Sequence, residues 1–532
     1  MGNFFEILIL SFFIFFSLYF PGRIILEKIN IENDEKFVLS FGISCFLFYI
    51  FGFSGYVINL NSTIFNGLFL LISLILSLIL TYKNKIQFEN KLLIQFFISF
   101  LFLIFYQSFI PFYSGGLWFF DWFEHYLRSV FFLYRLPLNI KFLDYIIPSR
   151  PPFFNIVSFF YLSIIGADFY KYQVISSILN LLLILSVYLF CKNYFKIENR
   201  NLFAFVCFIL ILNPYILRQI TYTWTKPLCA YYVICGLYFY LNFLKNNEKA
   251  YLIFSSLFSG IGFIVHFSAG PYILGILIHF LFRAFFERNL LKKFLIFVSI
   301  FFATIFTYFL WSIKNYGIKN SFLSNTTYQQ QKNIDFLIRI EKDINNFYKT
   351  IFPVIPEEYR KGFSFYNDRK FETFNFILPL YSSNIWGNLT FTLSIFLLFI
   401  ILEKFENFLN VDKNFFKFYL PFTFIISLIV NPTKDLCGVA HVTFLPFVCI
   451  LLSFVIKEVL NLREFKILLF IYFLECMSIF IFQIYIYRNY FTLSKTIYFY
   501  KTTGIEMSHF SNFLLKINNQ LVFLYDKFFS FK

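Results

Sequence analysis

The sequence predicts an all-α, polytopic membrane protein that crosses the bilayer about fourteen times. Of its 532 residues, 59% are hydrophobic and only 14% are charged, which is too apolar a composition for a soluble domain. Apolar stretches of about 20 residues, the length that spans a hydrocarbon core about 30 Å thick, recur along the chain. These stretches are continuous rather than alternating in hydrophobicity, and this pattern indicates helices instead of barrel strands.

Charge and cysteine usage exclude several other classes of function. The formal net charge is +16, which in a soluble protein would suggest a nucleic-acid partner. Here most Lys and Arg residues of the short loops fall on the side assigned below to the cytoplasm, so we predict no nucleic-acid partner. The 8 Cys residues occur singly, without a CxxC pair or metal-ligand spacing, and predict neither a disulfide framework nor a zinc site.

The individual spans follow from the apolar runs. The N-terminal sequence MGNFFEILIL lacks a basic segment and a cleavage site, so the first run is predicted to be a retained helix. One shorter run lies at 153–165. The predicted spans lie near residues 3–21, 37–58, 64–81, 92–111, 173–190, 202–213, 228–244, 250–267, 271–286, 294–313, 385–402, 418–430, 440–456 and 467–487.

The distribution of Lys and Arg predicts the orientation, because short cytoplasmic loops are enriched in positive charge. If the run at 153–165 crossed the membrane, the basic loops 191–201 and 283–293 would lie outside. If that run is re-entrant or interfacial, the Lys/Arg-rich short loops all share one side. The short loops opposite then hold only three cations, which are Arg218, Lys226 and Lys434. We therefore predict that the N-terminus lies outside and that 153–165 does not cross.

This threading divides the chain into regions and gathers unusual polar residues in the exofacial loops, which are expected to form the active site. The predicted regions are an N-terminal four-helix transmembrane region (1–111), an exofacial acidic loop with interfacial or re-entrant helices (112–172), a transmembrane core (173–313), a large exofacial loop (314–384), C-terminal transmembrane helices (385–487) and an exofacial tail (488–532).

The acidic loop contains the clearest cluster of chemically useful side chains. In GGLWFFDWFEHYLR, the residues Asp121, Glu124, His125 and Arg128 are spaced i, i+3, i+4 and i+7, which places them on one face of a short helix. A carboxylate here could act as a general base, while Glu124 or His125 could adjust its pKa or help to hold a divalent cation. The alternative is a solvated helix face with ordinary i, i+4 ion pairs.

Several cations in the exofacial loops could bind a phosphate group. Arg150 precedes two prolines where the chain re-enters the membrane, and Lys226 lies in YTWTKP. His266 ends an apolar helix, and Lys434 and His441 share a later loop. Each residue alone could also be an interfacial or packing residue. That alternative is weaker when several cations lie at the same exofacial opening of the helix bundle.

At these residues the chain resembles the GT-C superfamily of membrane glycosyltransferases, such as protein O-mannosyltransferases and aminoarabinose transferases. The acidic loop FFDWFEHYLRSVFFL is followed by SRPPFFNIVSFFYLSIIGADFYKYQ, which is similar to the proline-initiated segment of the family. The stretch ILNPYILRQITYTWTKPLCAYYVICGLYFYL is similar to the next helix pair. The resemblance is best over 110–270. The chain departs from the family in having four helices before the acidic loop and a DxxE spacing of its acids.

The resemblance implies transfer of a sugar from a polyprenyl-phosphate donor to a glycan, lipid or protein acceptor at the outer face of a bacterial inner membrane. It implies an inverting displacement with Asp121 as general base, supported by Glu124 and His125. A divalent cation at these three residues is a further expectation. The expected phosphate-binding residues are Arg128, Arg150, Lys226, His266, Lys434 and His441.

Two other functions compete with this prediction. A polysaccharide polymerase or ligase would also use lipid-linked glycans, and its chemistry would depend on arginines of the large loop such as Arg339 and Arg360. A transporter or flippase would place ionisable residues near the midplane, where Glu475 is the main candidate. The polar residues cluster at the mouth instead, and we see no internal repeat, which favours an enzyme.

Overall fold

The computed structural model describes residues 2–83, 89–108, 121–142, 145–325, 335–352, 381, 384–398, 413–430, 441–460 and 465–490. Over these ranges the chain is helical and contains no strand beyond an isolated bridge between Phe142 and Tyr145. The predicted all-α class is therefore confirmed.

The described part of the chain contains eighteen α-helices. They are α1 (Gly2–Glu27), α2 (Asn33–Val57), α3 (Ser62–Tyr82), α4 (Asn90–Ser108), α5 (Asp121–Tyr134), α6 (Phe153–Ile165), α7 (Phe169–Leu189), α8 (Leu202–Leu212), α9 (Pro214–Thr221), α10 (Lys226–Asn246), α11 (Lys249–Val265), α12 (Gly270–Phe286), α13 (Arg288–Leu323), α14 (Phe336–Ile351), α15 (Ile385–Leu389), α16 (Lys413–Ile429), α17 (Leu445–Val459) and α18 (Phe465–Tyr490).

The number of full-length spans in the described ranges is smaller than fourteen. Eight helices there are long and apolar enough to cross a membrane, namely α1, α2, α3, α7, α10, α12, α13 and α18. The pair α8 and α9, bent by 83°, would make a ninth. Four of the predicted runs, α4, α6, α11 and α16, form shorter apolar helices. The multi-pass character is confirmed, whereas the count of fourteen is not.

Helix α6 is the run whose crossing decides the predicted orientation. Its 13 residues rise about 20 Å, which is less than the hydrocarbon core of about 30 Å. It begins after Pro152 and ends at Gly166, whose φ of 92° favours glycine. The helix packs against α2, α3 and α5. A short helix buried among others agrees with the prediction that 153–165 does not cross, and the orientation itself stays a prediction.

Close packing of α10 against α11 brings the ends of these helices together. Gly236 lies so close to α11 that an added Cβ would stand 3.0 Å from Ser259 Oγ. Ser255 Oγ donates a hydrogen bond of 2.8 Å to the Gly236 carbonyl. Small residues allow such close approach of helices in a membrane. The antiparallel pair consequently places Lys226, at the start of α10, near His266, just after α11.

Helix α13 turns sharply beyond its membrane-spanning part. Gly317 has non-helical angles of φ 77° and ψ 163°, a conformation that glycine adopts without strain. The turn brings Ser321 back onto the helix, where its hydroxyl lies 2.7 Å from that of Ser312. The end of α13 thereby covers the helix from which it came and contributes to the cavity described next.

Candidate active site

The polar face predicted in the acidic loop exists and points into the protein. Asp121 begins α5, although its side chain lies outside the described part of the chain. Glu124, His125 and Arg128 share one face, and each is only 1% exposed. The interpretation of these three residues as a solvated face is therefore wrong. Burial of such a face requires specific partners, because an unpaired buried charge is costly.

Glu124 finds its partners in two arginines. Its Oε1 lies 2.8 Å from Arg128 Nε, and its Oε2 lies 3.0 Å from Arg150 Nη2. Arg128 also donates to the Ile147 carbonyl at 2.9 Å and to Ser149 Oγ at 3.1 Å. These contacts tie α5 to the turn that precedes Arg150. They hold the Arg150 guanidinium from behind, with its side chain 15% exposed.

His125 joins α5 to α6 instead of facing a solvent-filled space. Its Nδ1 lies 3.2 Å from Oδ1 of Asn155, a buried residue in the first turn of α6. Since the amide oxygen can only accept, this contact assigns the proton of His125 to Nδ1. His125 is thereby oriented by a partner that the sequence analysis did not identify.

A divalent cation at Asp121, Glu124 and His125 finds limited support in this geometry. Both carboxylate oxygens of Glu124 face guanidinium groups, which would repel a metal ion. No group of three or more His, Cys, Asp or Glu residues in the described ranges could hold a metal. Glu124 therefore does not fit as a ligand, and metal binding through Asp121 stays a prediction.

A cavity of about 810 Å³ lies beside Arg150. Its apolar walls come from α11, α12, α13 and α16, and its polar residues stand at helix ends and connections. The apolar wall consists of Pro151, Phe263, Phe267, Pro271, Ile273, Leu274, Leu277, Phe301, Phe302, Ile305, Phe309, Phe322, Ile426, Ile429 and Val430. The polar residues are Ser149, Arg150, His266, Ser268, Ser321, Asn325, Arg339 and Thr443.

His266 lies where several cations meet. Burial lowers its pKa well below the usual value of 6.5, and the nearby charges of Lys226, Arg150 and His125 lower it further. Its Nδ1 accepts a hydrogen bond of 3.0 Å from the backbone N–H of Ser268. The neutral ring consequently carries its proton on Nε2 and can donate one hydrogen bond. His266 therefore contributes a donor to the cavity rather than a positive charge.

Lys226 is positioned by an aromatic ring. Its Nζ lies 4.3 Å from the ring centroid of Trp224, which is 1% exposed. Such a cation–π contact stabilises an ammonium group outside bulk water. The antiparallel packing of α10 and α11 brings Lys226 close to His266, where its charge lowers the pKa of the ring.

The structure thus brings together part of the predicted site. Arg150 and His266 line one cavity, while Lys226 and His125 lie close to His266. Glu124 and Arg128 stand behind Arg150 instead of lining the cavity. Three of the predicted residues cannot be assigned in this way: Lys434 lies outside the described residues, and only the backbone of Asp121 and His441 is described.

The cavity also contains Arg339, which the sequence analysis expected to be functional only in a polymerase or ligase. Arg339 reaches the cavity from the first turn of α14, far along the chain from the other residues of the site. Its sequence signal is a polar stripe at i, i+3, i+7 and i+11 formed with Lys342, Asn346 and Thr350. That stripe indicates a helix face turned toward the protein.

Comparisons with known proteins agree with the predicted resemblance. Residues 149–311 match the profile of the family described as "Dolichyl-phosphate-mannose-protein mannosyltransferase". The predicted resemblance to the GT-C superfamily of membrane glycosyltransferases is therefore confirmed over this segment. The matched segment begins beside Arg150 and includes Lys226 and His266. No curated protein matches the chain in sequence.

A solved structure is similar over a longer part of the chain. It is the crystal structure of ArnT from Cupriavidus metallidurans bound to undecaprenyl phosphate, with 12% sequence identity and a TM-score of 0.44. The similarity covers 71% of this chain and 61% of that one. The chain therefore spans about three fifths of the length of that protein.

Proposed function

We propose that the protein is a membrane glycosyltransferase that takes a sugar from a polyprenyl-phosphate-linked donor and transfers it to a glycan, lipid or protein acceptor. The cavity carries this proposal. It joins an apolar wall, suited to an isoprenoid chain, with Arg150, His266 and Arg339, suited to a phosphate group. The match of residues 149–311 to a family of dolichyl-phosphate-mannose enzymes supports the same donor class.

The two parts of the cavity supply different terms of binding. An isoprenoid chain that left water would gain about 25 cal/mol for each Å² of apolar surface buried. In a membrane the chain leaves lipid instead of water, so the apolar wall of the cavity mainly provides a matching shape. Guanidinium groups bind phosphate oxygens through charge-assisted hydrogen bonds. Arg150 is held in place by Glu124 before any ligand arrives. We assign donor selection chiefly to this preorganised cation.

The proposed reaction is a single inverting displacement. The acceptor hydroxyl oxygen attacks C1 of the sugar while the bond from C1 to the phosphate oxygen breaks. The Asp121 carboxylate takes the hydroxyl proton, and polyprenyl phosphate leaves with the bonding electron pair. Negative charge develops on the leaving phosphate, where Arg150, Lys226 and the Nε2–H of His266 stabilise it. Lys434 and His441 are further candidates for this role.

We assign Glu124 and Arg128 to positioning rather than to contact with substrate. Both are 1% exposed and bind each other, and Glu124 also binds Arg150. The site is proposed to face the outside of a bacterial inner membrane. The distribution of basic loops in the sequence supports that orientation.

Proteoliposomes containing the purified chain and a radiolabelled polyprenyl-phosphate sugar test the proposal. Replacement of a general base is expected to lower kcat by about 100-fold or more, so Asp121→Asn should abolish most sugar transfer. The matched control is Asp168→Asn, which removes a carboxylate that pairs with Lys171 at 3.0 Å. If both variants transfer sugar as fast as the unmodified protein, Asp121 is excluded as the general base.

Two further outcomes of the same assay would exclude the function itself. If the lipid-linked sugar crosses the vesicle membrane without being consumed, the protein is a flippase. If the chain extends a glycan on its lipid carrier and Arg339→Ala matters more than Asp121→Asn, it is a polymerase or ligase. That second candidate is retained because Arg339, which it requires, lines the cavity.

A further inference from the structure

Helix α14 has its polar and apolar faces reversed relative to a helix of a soluble protein. Its polar residues Lys342, Asn346 and Thr350 are 1%, 4% and 0% exposed. Leu337 and Ile344, in contrast, are 72% and 63% exposed. The polar face therefore lies against the protein, and the apolar face points away from it.

The exposed apolar surface of α14 is extensive. Isolated exposed apolar residues are normal in any protein, whereas a contiguous set marks a surface that contacts another apolar phase. The set covers the whole length of the helix. Its members are Phe336, Leu337, Ile338, Ile340, Ile344, Phe347 and Tyr348.

Helix α14 is held on the outer part of the bundle. Phe347 contacts Phe424 of α16, with ring centroids 6.1 Å apart, and Trp386 Nε1 donates a hydrogen bond of 2.5 Å to the Ile351 carbonyl. Five charged residues in 16 exclude α14 as a transmembrane span. Its position and composition fit a helix that lies along a membrane surface.

The neighbouring surface indicates what covers the apolar face. Helix α16 exposes Ile425 and Ile429, as expected for a helix that faces lipid. Phe347, on the apolar face of α14, contacts Phe424, the neighbour of Ile425 in α16, so the exposed apolar surfaces of the two helices adjoin. The apolar face of α14 is therefore a continuation of the lipid-facing surface of the bundle.

We propose that α14 is an interfacial helix, with its apolar face in the boundary between lipid headgroups and acyl chains and its polar face on the protein. This placement sets Arg339, on the polar face, at the depth of lipid phosphate groups and at the edge of the cavity. The membrane contact stands independently of the enzymatic activity. The use of Arg339 for a lipid-linked donor rests on the proposed function.

Spin labels on single introduced cysteines test the membrane contact in liposomes. The background is the full chain with Cys437→Ser, because the seven described cysteines are buried. Labels at Ile344→Cys and Leu337→Cys should collide more often with oxygen, which dissolves in lipid, than with a water-soluble nickel chelate. Leu71→Cys, on the exposed side of α3, is the lipid control, and Glu198→Cys, in a connection, is the water control.

The outcomes separate lipid from the other occupants of this face. A depth between those of the two controls supports the proposal. Preferential contact with the nickel chelate would overturn it. Labels that are immobilised and reached by neither reagent would also overturn it, since protein then covers the face, and dipolar broadening between labels would identify a second copy as the cover.

A transfer assay adds the functional part. Ile344→Glu should raise the KM for a long-chain polyprenyl donor by about tenfold, because a charged residue weakens insertion of the helix, with Ile344→Leu as the matched control. A short-chain, water-soluble donor should be used equally well by both variants. Lipid contact of the spin labels without any sugar transfer would refute the proposed function alone, whereas transfer with water-exposed labels would refute the interfacial helix alone.

Discussion

Buried charge occurs at both ends of the helix bundle, but only one of these ends adjoins the cavity described above. At the end where α1 and α2 meet, Arg23 pairs with Glu27 at 3.2 Å. Glu35, which is 1% exposed, accepts hydrogen bonds from Tyr238 Oη at 2.6 Å and from the Glu32 backbone at 2.9 Å. Charges and neutral donors at this end compensate one another within the protein.

At the cavity end, charged side chains stand beside an open cavity. Glu124 contacts both Arg128 and Arg150, Arg150 lines the cavity, and Lys226 lies near the neutral His266. Buried charge as such does not mark a functional site, because structural pairs are buried as well. Cationic side chains that line a cavity are a better indication, since they can bind an anionic ligand there. The two ends therefore supply matched variants for testing the site.

The largest expected difference is in stability. Glu124→Gln should destabilise the fold by about 3–5 kcal/mol, because it removes the carboxylate that pairs with the buried Arg128 guanidinium and also with Arg150. Glu35→Gln should cost only about 1 kcal/mol, because the amide oxygen can still accept from the Glu32 N–H and the amide NH2 can donate to the Tyr238 hydroxyl. Thermal unfolding of both variants in detergent measures the difference. Equal loss of Tm would contradict the contrast between the two ends.

Replacement of Arg150, at the cavity end, and of Arg23, at the opposite end, should affect catalysis to different extents. Arg150→Ala is expected to lower kcat/KM for the lipid-linked donor by about 100-fold, equivalent to about 2.7 kcal/mol. Arg23→Ala, which breaks the ion pair with Glu27, should change kcat/KM by less than about twofold while lowering Tm. Steady-state transfer in liposomes checks both expectations. An active Arg150→Ala enzyme would show that the cavity cation does not serve the phosphate.

Two lysines on α10 form a closer comparison. Lys226 and Lys245 stand at opposite ends of the helix, each over an aromatic ring, at 4.3 Å from Trp224 and 4.1 Å from Tyr194. Lys226→Met should raise the donor KM by about tenfold, as expected for loss of one cation near a bound phosphate. Lys245→Met should leave KM unchanged. The same change in both variants would indicate a general effect on α10 instead.

The smallest effect concerns pH. Because the pKa of His266 is lowered, the folded protein keeps this ring neutral at pH values where an unfolded histidine, with a pKa of about 6.5, binds a proton. Acidification below that value therefore opposes folding at this residue. Between about pH 6.5 and 8 the ring does not titrate, and a phosphodiester donor does not titrate either.

We accordingly expect His266→Gln, which keeps a hydrogen-bond donor, to raise the donor KM by no more than about threefold. The dependence of KM on pH over this window should be the same in both proteins. Measurement of KM at half-unit intervals checks this expectation. A rise in KM with increasing pH that disappears in His266→Gln would show that a charged His266 binds the phosphate.

The sequence by itself determined that the protein lies in a membrane, which segments form helices and which residues share a helix face. Apolar runs located most of the helices to within a few residues, because a membrane leaves a hydrophobic helix few alternatives. The i, i+3 and i+4 spacing in the acidic loop correctly placed Glu124, His125 and Arg128 on one face, since helical periodicity is a local property. The motif SRPP likewise pointed to Arg150.

Only the tertiary structure decided what those residues do with one another. Whether Glu124 would face water, a metal or two guanidinium groups depends on how α5 packs against the turn before α6, and no local period encodes that contact. Arg339 lines the cavity because α14 packs its polar face against the protein. The neighbouring helices decide this orientation. Local patterns thus specified elements and faces, whereas the grouping of charged side chains at the candidate site required long-range packing.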